Sequence, residues 1–210
     1  YTQLGKCIKN SDLVIEAATE SKKIKLNIFK ELDTLCNTNT ILASNTSSIS
    51  IDEIASVTQR KDKVIGMHFM NPVPIMKLVE VINGSQTSDS TKKTVFDYIH
   101  LINKIPVECN DSPGFVSNRI LMPMINEAAF TYMEGVATTE SIDKIMKLGM
   151  GHPMGPLKLA DLIGIDICVS IMDVLFDGFK NEKYKACPLL IKMINENKLG
   201  IKSGEGFYKY

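Results

Sequence analysis

Two residues in this sequence are spaced for proton transfer. His68 sits near the end of the apolar run Val64-Ile65-Gly66-Met67-His68-Phe69, and Glu80 lies twelve residues on, in a second strand-like run over 76–82. Between them stands Asn71-Pro72-Val73-Pro74, a turn sequence. If the two runs pair as a hairpin centred near Pro74, positions 68 and 80 are equidistant from its centre. They then face each other with Cβ atoms about 5 Å apart, and their even separation puts both side chains on one face of the sheet. A carboxylate opposite an imidazole fixes the tautomer, orients the ring and stabilises its charged form, as a general acid/base requires. The spacing equally suits a histidine at a strand end with an unrelated glutamate, and by itself it leaves both readings open.

Other polar residues carry weaker signals. Ser47 belongs to the loop Asn45-Thr46-Ser47-Ser48, which follows an apolar run over 40–44. Open α/β sheets bind ligands there, outside the carboxyl ends of their strands. Ser47 also reads as a turn or capping serine, with Ser48 and Ser50 as alternative caps. Asn118 follows Ser112-Pro113-Gly114 by one turn and offers a neutral amide to a substrate oxygen, or a local cap. His100 reads as a surface or half-buried helix residue, and His152, in Gly149-Met150-Gly151-His152-Pro153-Met154-Gly155, as a loop residue. Neither has an acid placed to orient it. The five cysteines (Cys7, Cys36, Cys109, Cys168, Cys187) are odd in number and scattered, without the close pairs of a zinc or redox motif. They read as buried free thiols of a reducing, cytoplasmic compartment, with no metal site.

The elements that must position these residues fall into two halves. Residues 1–110 alternate strand and helix patterns: an apolar run at 11–17, a helix stripe over 22–35, a strand at 40–44, a short helix at 51–57, the two hairpin runs, a helix at 91–102 and a strand at 105–109. That rhythm predicts a parallel or mixed sheet with flanking helices. Residues 111–210 read as almost wholly helical. Helices are expected from Ser112-Pro113-Gly114 to about residue 134, from Thr138 onward, from Gly155-Pro156 through residue 176, and over 188–197. The fold class is therefore α/β, a partial Rossmann-like sheet followed by an all-α domain. The 210 residues carry 24 basic and 24 acidic side chains. This balance leaves no global field for nucleic acid or an anionic membrane, and no apolar stretch is long enough for a membrane span.

Several blocks together resemble the L-3-hydroxyacyl-CoA dehydrogenase family, and within it the short bacterial 3-hydroxybutyryl-CoA dehydrogenases. They are Ala43-Ser44-Asn45-Thr46-Ser47-Ser48, Gly66-Met67-His68-Phe69-Met70-Asn71-Pro72-Val73-Pro74, Lys77-Leu78-Val79-Glu80, Asp111-Ser112-Pro113-Gly114-Phe115-Val116-Ser117-Asn118-Arg119, His152-Pro153-Met154-Gly155-Pro156 and Gly204-Glu205-Gly206-Phe207-Tyr208. The resemblance implies that His68 is the catalytic base and Glu80 its orienting partner, with Ser47 and Asn118 on the substrate oxygen. It places the cofactor against Glu20, Lys25, Ser47, Asn71 and Lys202, although Glu20 and Lys25 alone read as the solvated start of a helix. The implied cofactor is NAD, with NADP as the alternative, and the implied substrate is an acyl-CoA. A homodimer through the helical domain is also implied; Ile163, Ile167, Ile171, Met172 and Leu175 form an apolar stripe that suits a partner surface or, alternatively, the unit's own core. The G-x-G-x-x-G turn that opens such nucleotide domains does not occur in the 210 residues. This absence and the first residue, Tyr1, together lead to the expectation that the N-terminal nucleotide-binding half is lacking. The chain alone is then expected to be inactive, or to be a non-catalytic dimerisation or structural module derived from the family.

Overall fold

The strands in the first half satisfy their backbones by pairing side by side, and the order in which they pair sets the site. The computed structural model describes residues 8–210; Tyr1 and Cys7 lie outside them. Strands β1 (Leu13–Glu16), β2 (Ile41–Ser44), β3 (Val64–Phe69), β4 (Leu78–Asn83) and β5 (Ile105–Asn110) form one sheet in sequence order. β1, β2 and β3 are parallel, β4 returns antiparallel to β3, and β5 is parallel to β4. Parallel neighbours require crossovers. These are α1 (Lys22–Leu35), then α2 (Ile51–Ala55) with a short 3₁₀ turn, and α3 (Asp89–Leu101) between β4 and β5.

Alternation along each strand sorts the core into two layers. Leu42, Val64 and Ile82 face α1 and α2, packing with Phe29, Leu32, Ile51, Ile54 and Phe115. Ile41, Ala43, Ile65, Met67, Val79 and Val81 face α3 through Val95 and Ile99. His68 has the parity of Val64 and Gly66, so its side chain lies on the α2 side of the sheet. Side-chain caps start two of these helices: Ser50 accepts from the Glu53 amide and Ser88 from the Thr91 amide.

The chain divides into two compact units, 1–115 and 116–210. The second is helical: α4 (Ser117–Met133), α5 (Thr139–Met150), α6 (Pro156–Ile163), α7 (Ile165–Phe179) and α8 (Pro188–Asn195). Its core joins Met122, Ile125 and Ala129 of α4 to Cys168, Met172 and Leu175 of α7 and to Leu190 and Met193 of α8. Three expectations are corrected here. Ser112-Pro113-Gly114 forms a turn rather than a helix start, because Gly114 and Phe115 both adopt left-handed conformations (φ 71° and 53°), which no α-helix accommodates. The helix expected from Pro156 to residue 176 is broken at Gly164, whose φ of 106° is open to glycine and strained for other residues. The stripe assigned to a partner turns largely inward: Met172 and Leu175 are buried, Ile163 and Ile171 pack against the same core, and Ile167 alone of the five is exposed.

Candidate active site

The hairpin brings the proton-transfer pair together. His68 and Glu80 are directly opposed in the β3–β4 register, and His68 Nδ1 lies 3.0 Å from Glu80 Oε2. The side chains are 12% and 6% exposed, which keeps bulk water from competing for the bond. With a carboxylate as acceptor, Nδ1 carries the proton and Nε2 presents its lone pair outward. The Phe115 ring backs the imidazole at 6.0 Å between centroids, tilted by 59°. Cys109 Sγ lies 3.9 Å from Glu80 Oε1, the oxygen not directed at His68. The turn joining the two strands contains a cis Asn71–Pro72 peptide. Lys104 holds that turn from beneath, donating to the carbonyls of Val73 (2.6 Å) and Met76 (2.7 Å). Asn71 is exposed at its rim.

A second cluster occupies the carboxyl ends of β1 and β2. Glu20 Oε1 accepts from Thr46 Oγ1 (2.6 Å), from the Ser47 amide and hydroxyl (2.9 and 3.2 Å), and from the Ser48 amide and hydroxyl (3.1 and 3.0 Å). Burial acts to raise the Glu20 pKa. The donors from Thr46, Ser47 and Ser48, together with the Lys25 charge, outweigh burial and hold it below the ordinary carboxylate value. Lys25 is fully buried, contrary to its reading as a solvated helix residue. Its Nζ lies 2.8 and 3.0 Å from the two oxygens of Glu16, 3.1 Å from the Ala18 carbonyl and 3.5 Å from Glu20 Oε2. The loop is tied to the histidine strand as well, since Asn45 Oδ1 accepts from the amide of Phe69, the residue after His68. The structure thus assembles Glu20, Lys25 and Ser47 in one cluster, and His68 with Glu80 in another on the same sheet.

Asn118 and Lys202 belong to the second unit. Asn118 is buried at the start of α4. Lys202 pairs with Asp166 at 2.7 Å, over Gly164. His100 is exposed on α3, and His152 is half-buried in the loop between α5 and α6.

The model of the 3-hydroxyacyl-CoA dehydrogenase NAD-binding domain matches residues 1–112, and that of the 3-hydroxyacyl-CoA dehydrogenase C-terminal domain matches 114–210. The chain belongs to the 3-hydroxyacyl-CoA dehydrogenase family. It is 60% identical over 203 residues to the 3-hydroxybutyryl-CoA dehydrogenase of Clostridioides difficile, covering 97% of this chain and 72% of that protein. It is 46% identical over 210 residues to the mitochondrial hydroxyacyl-coenzyme A dehydrogenase of Homo sapiens, covering all of this chain and 67% of the human one. The solved structure of (S)-3-hydroxybutyryl-CoA dehydrogenase from Ralstonia eutropha superposes with a TM-score of 0.96 at 49% identity, over all of this chain and 74% of that one.

Membership in the 3-hydroxyacyl-CoA dehydrogenase family corrects one expectation. The expectation that this chain lacks its NAD-binding domain is overturned, because the NAD-binding domain model matches residues 1–112, and the inactivity deduced from that lack goes with it. That deduction rested on one glycine motif and on the first residue, Tyr1. The match spans the sheet, the serine loop and the histidine hairpin, which the motif does not include.

The residues present suit NAD on the nicotinamide and ribose side. Beyond the carboxyl ends of three parallel strands they set an exposed carboxylate (Glu20), a hydroxyl (Ser47) and an exposed amide (Asn71), the neutral and acidic groups that recognise hydroxyls and amides. Sequence reasoning missed Glu16, Asn45 and Phe115. Glu16 had a signal: an acid ending an otherwise apolar strand must be paired if it is buried. Phe115 had none, since its contact with His68 spans 47 positions of chain.

Proposed function

We propose that this chain transfers a hydride reversibly between NAD and C3 of a short-chain 3-hydroxyacyl-CoA, the pair 3-hydroxybutyryl-CoA and acetoacetyl-CoA being the preferred substrates. The observation that carries the reading is the 3.0 Å bond from His68 Nδ1 to Glu80, which leaves Nε2 as the proton-exchanging atom. In oxidation, neutral His68 takes the substrate hydroxyl proton as C3 loses its hydride. In reduction, the imidazolium returns a proton to the oxygen that develops at C3. Glu80 orients the ring and stabilises its charged form in both directions. Asn118 donates a neutral hydrogen bond to the same oxygen, and Ser47 does so once its one hydroxyl proton turns from Glu20, whose bond from the Ser47 amide is kept; both match the charge that grows there. Glu20, Lys25, Ser47, Asn71 and Lys202 hold NAD, or NADP as the alternative; bound cofactor supplies the acceptance or return of one hydride.

The helical unit forms the surface of a homodimer in this reading, supported by an exposed apolar face on α5 in which Ile145 is 59% and Leu148 76% exposed. Among the described residues no helix is long and apolar enough to cross a membrane. The buried free thiols Cys36, Cys168 and Cys187 fit a cytoplasmic setting. Burial, then the nearby Asp166 charge, pushes the Cys168 thiol up to about 12, so it stays protonated and unreactive.

The test is acetoacetyl-CoA-dependent oxidation of NADH by the pure chain and its variants. His68→Ala is expected to lower kcat by about 10²–10⁴-fold, and Glu80→Gln, which keeps shape but loses charge, by roughly 10-fold or more, with KM changed far less. A His68→Ala variant with wild-type kcat overturns the reading.

A further inference from the structure

We propose that Glu16 is a positioning residue that keeps the serine loop in place by acting on Lys25 and Glu20. The inference rests on the reading of Ser47 as a donor to the substrate oxygen. Glu16 ends β1 and is buried. Its carboxylate accepts from the Ala18 amide at 2.6 Å, from Ser44 Oγ at 2.8 Å and from Lys25 Nζ at 2.8 and 3.0 Å. Ser44 is the last residue of β2, directly ahead of the loop that carries Ser47.

The cluster is a row of alternating charges in which one buried ammonium serves two carboxylates. Lys25 stands close to Glu16 and farther, at 3.5 Å, from Glu20 Oε2. That division frees Glu20 Oε1 for its five bonds to Thr46, Ser47 and Ser48. A buried ammonium does not tolerate the loss of its main counter-charge. Without the Glu16 charge, Glu20 is the remaining carboxylate partner of Lys25 among the described residues. The ammonium then draws Glu20 inward, and the loop loses the acceptor that holds the Ser47 amide and so sets where the Ser47 hydroxyl stands. The Glu16 carbonyl accepts from the Asn45 amide at 2.8 Å, a backbone bond that a side-chain substitution keeps, while its carboxylate bonds to Ala18, Ser44 and Lys25 and not to the reacting atoms. It sets which carboxylate Lys25 holds.

The experiment is a double-mutant cycle on the dehydrogenase, read as kcat for acetoacetyl-CoA reduction. Glu16→Gln is expected to lower kcat by about tenfold in the wild-type background, since an ångström of misplacement suffices for such a loss. In a Ser47→Ala background the same change is expected to cost less than about twofold, because the group it positions is already gone. Equal losses in both backgrounds overturn the inference, since a merely structural defect is indifferent to Ser47. An unchanged kcat in Ser47→Ala alone overturns the reading of Ser47 and the inference with it. The rescue variant is Glu16→Asp, which returns a counter-charge to Lys25 and is expected to keep kcat within about threefold of wild type. A Glu16→Asp variant as slow as Glu16→Gln overturns the inference, and so does, where Glu16→Gln does not fold, a Glu16→Asp loss of equal size in the Ser47→Ala background.

Discussion

At His68 one hydrogen bond does two jobs: it selects the tautomer and fixes the direction in which Nε2 points. The pair was legible because antiparallel register is symmetric about its turn, so counting from Pro74 locates both residues. Lys25 was not legible, since a lysine near a helix start looks solvated until its burial against Glu16, a residue from the preceding strand, is known. Glu20 makes a prediction about pH. Its folded-state pKa lies below the ordinary 4.5, the raising effect of burial being outweighed by the hydroxyls and amides of the loop and by Lys25. A depressed carboxylate contributes stability that is full above its unfolded value and disappears as pH falls through the folded one. The melting temperature of wild type is therefore expected to exceed that of Glu20→Gln at neutral pH, and the gap to close progressively below about pH 4.5. A gap that stays constant from about pH 7 to pH 4 refutes this role for the carboxylate.

Between the elements, close approach matters more than composition. Gly66 lies in β3, two residues before His68 and on the same face, where a Cβ would stand 2.8 Å from Ile82 Cβ and 3.0 Å from Ile51 Cδ1. Ile82 Cβ is fixed to its own strand and cannot swing aside, so β3 must part from β4 or α2 must lift. Gly66→Ala is expected to lower unfolding free energy by about 1–3 kcal/mol, measured by urea titration. Because the hairpin holds the His68–Glu80 bond, kcat is expected to fall as well. An alanine variant of wild-type stability would mean that the sheet relaxes at no cost. Periodicity located most strands and helices to within a few residues, since buried faces repeat with the period of their element. It ran straight across Gly164, because apolar residues continue on both sides of the break. What ends α6 there is a backbone conformation that side-chain pattern does not encode.

In the whole molecule the charge balance is even, yet the charges are not evenly used: one row is buried at the site, and most other pairs lie on the surface, where each contributes little. What the helical unit leaves uncovered is apolar. On α5, Ile145 and Leu148 stand three residues apart on one helix face, belong to none of the buried clusters, and flank a shallow hollow with Ser141, Lys144 and Gly149. The sequence pointed to the 155–176 segment for the partner surface because its stripe is more than one small helical layer needs. The stripe is long because α7 is the central helix of its unit and is packed from several sides, so its apolar residues are already spent inside. A twofold axis beside α5 would pack the face against its own copy, so each side chain gains a partner twice per dimer. Sedimentation velocity is expected to find the wild-type chain dimeric at micromolar concentration. Leu148→Glu, which places two carboxylates at one desolvated contact, is expected to shift it to monomer, with helical circular dichroism unchanged because Leu148 supports no core. A dimer that persists in Leu148→Glu moves the interface off α5, and a wild-type chain that sediments as a monomer at every concentration removes it altogether.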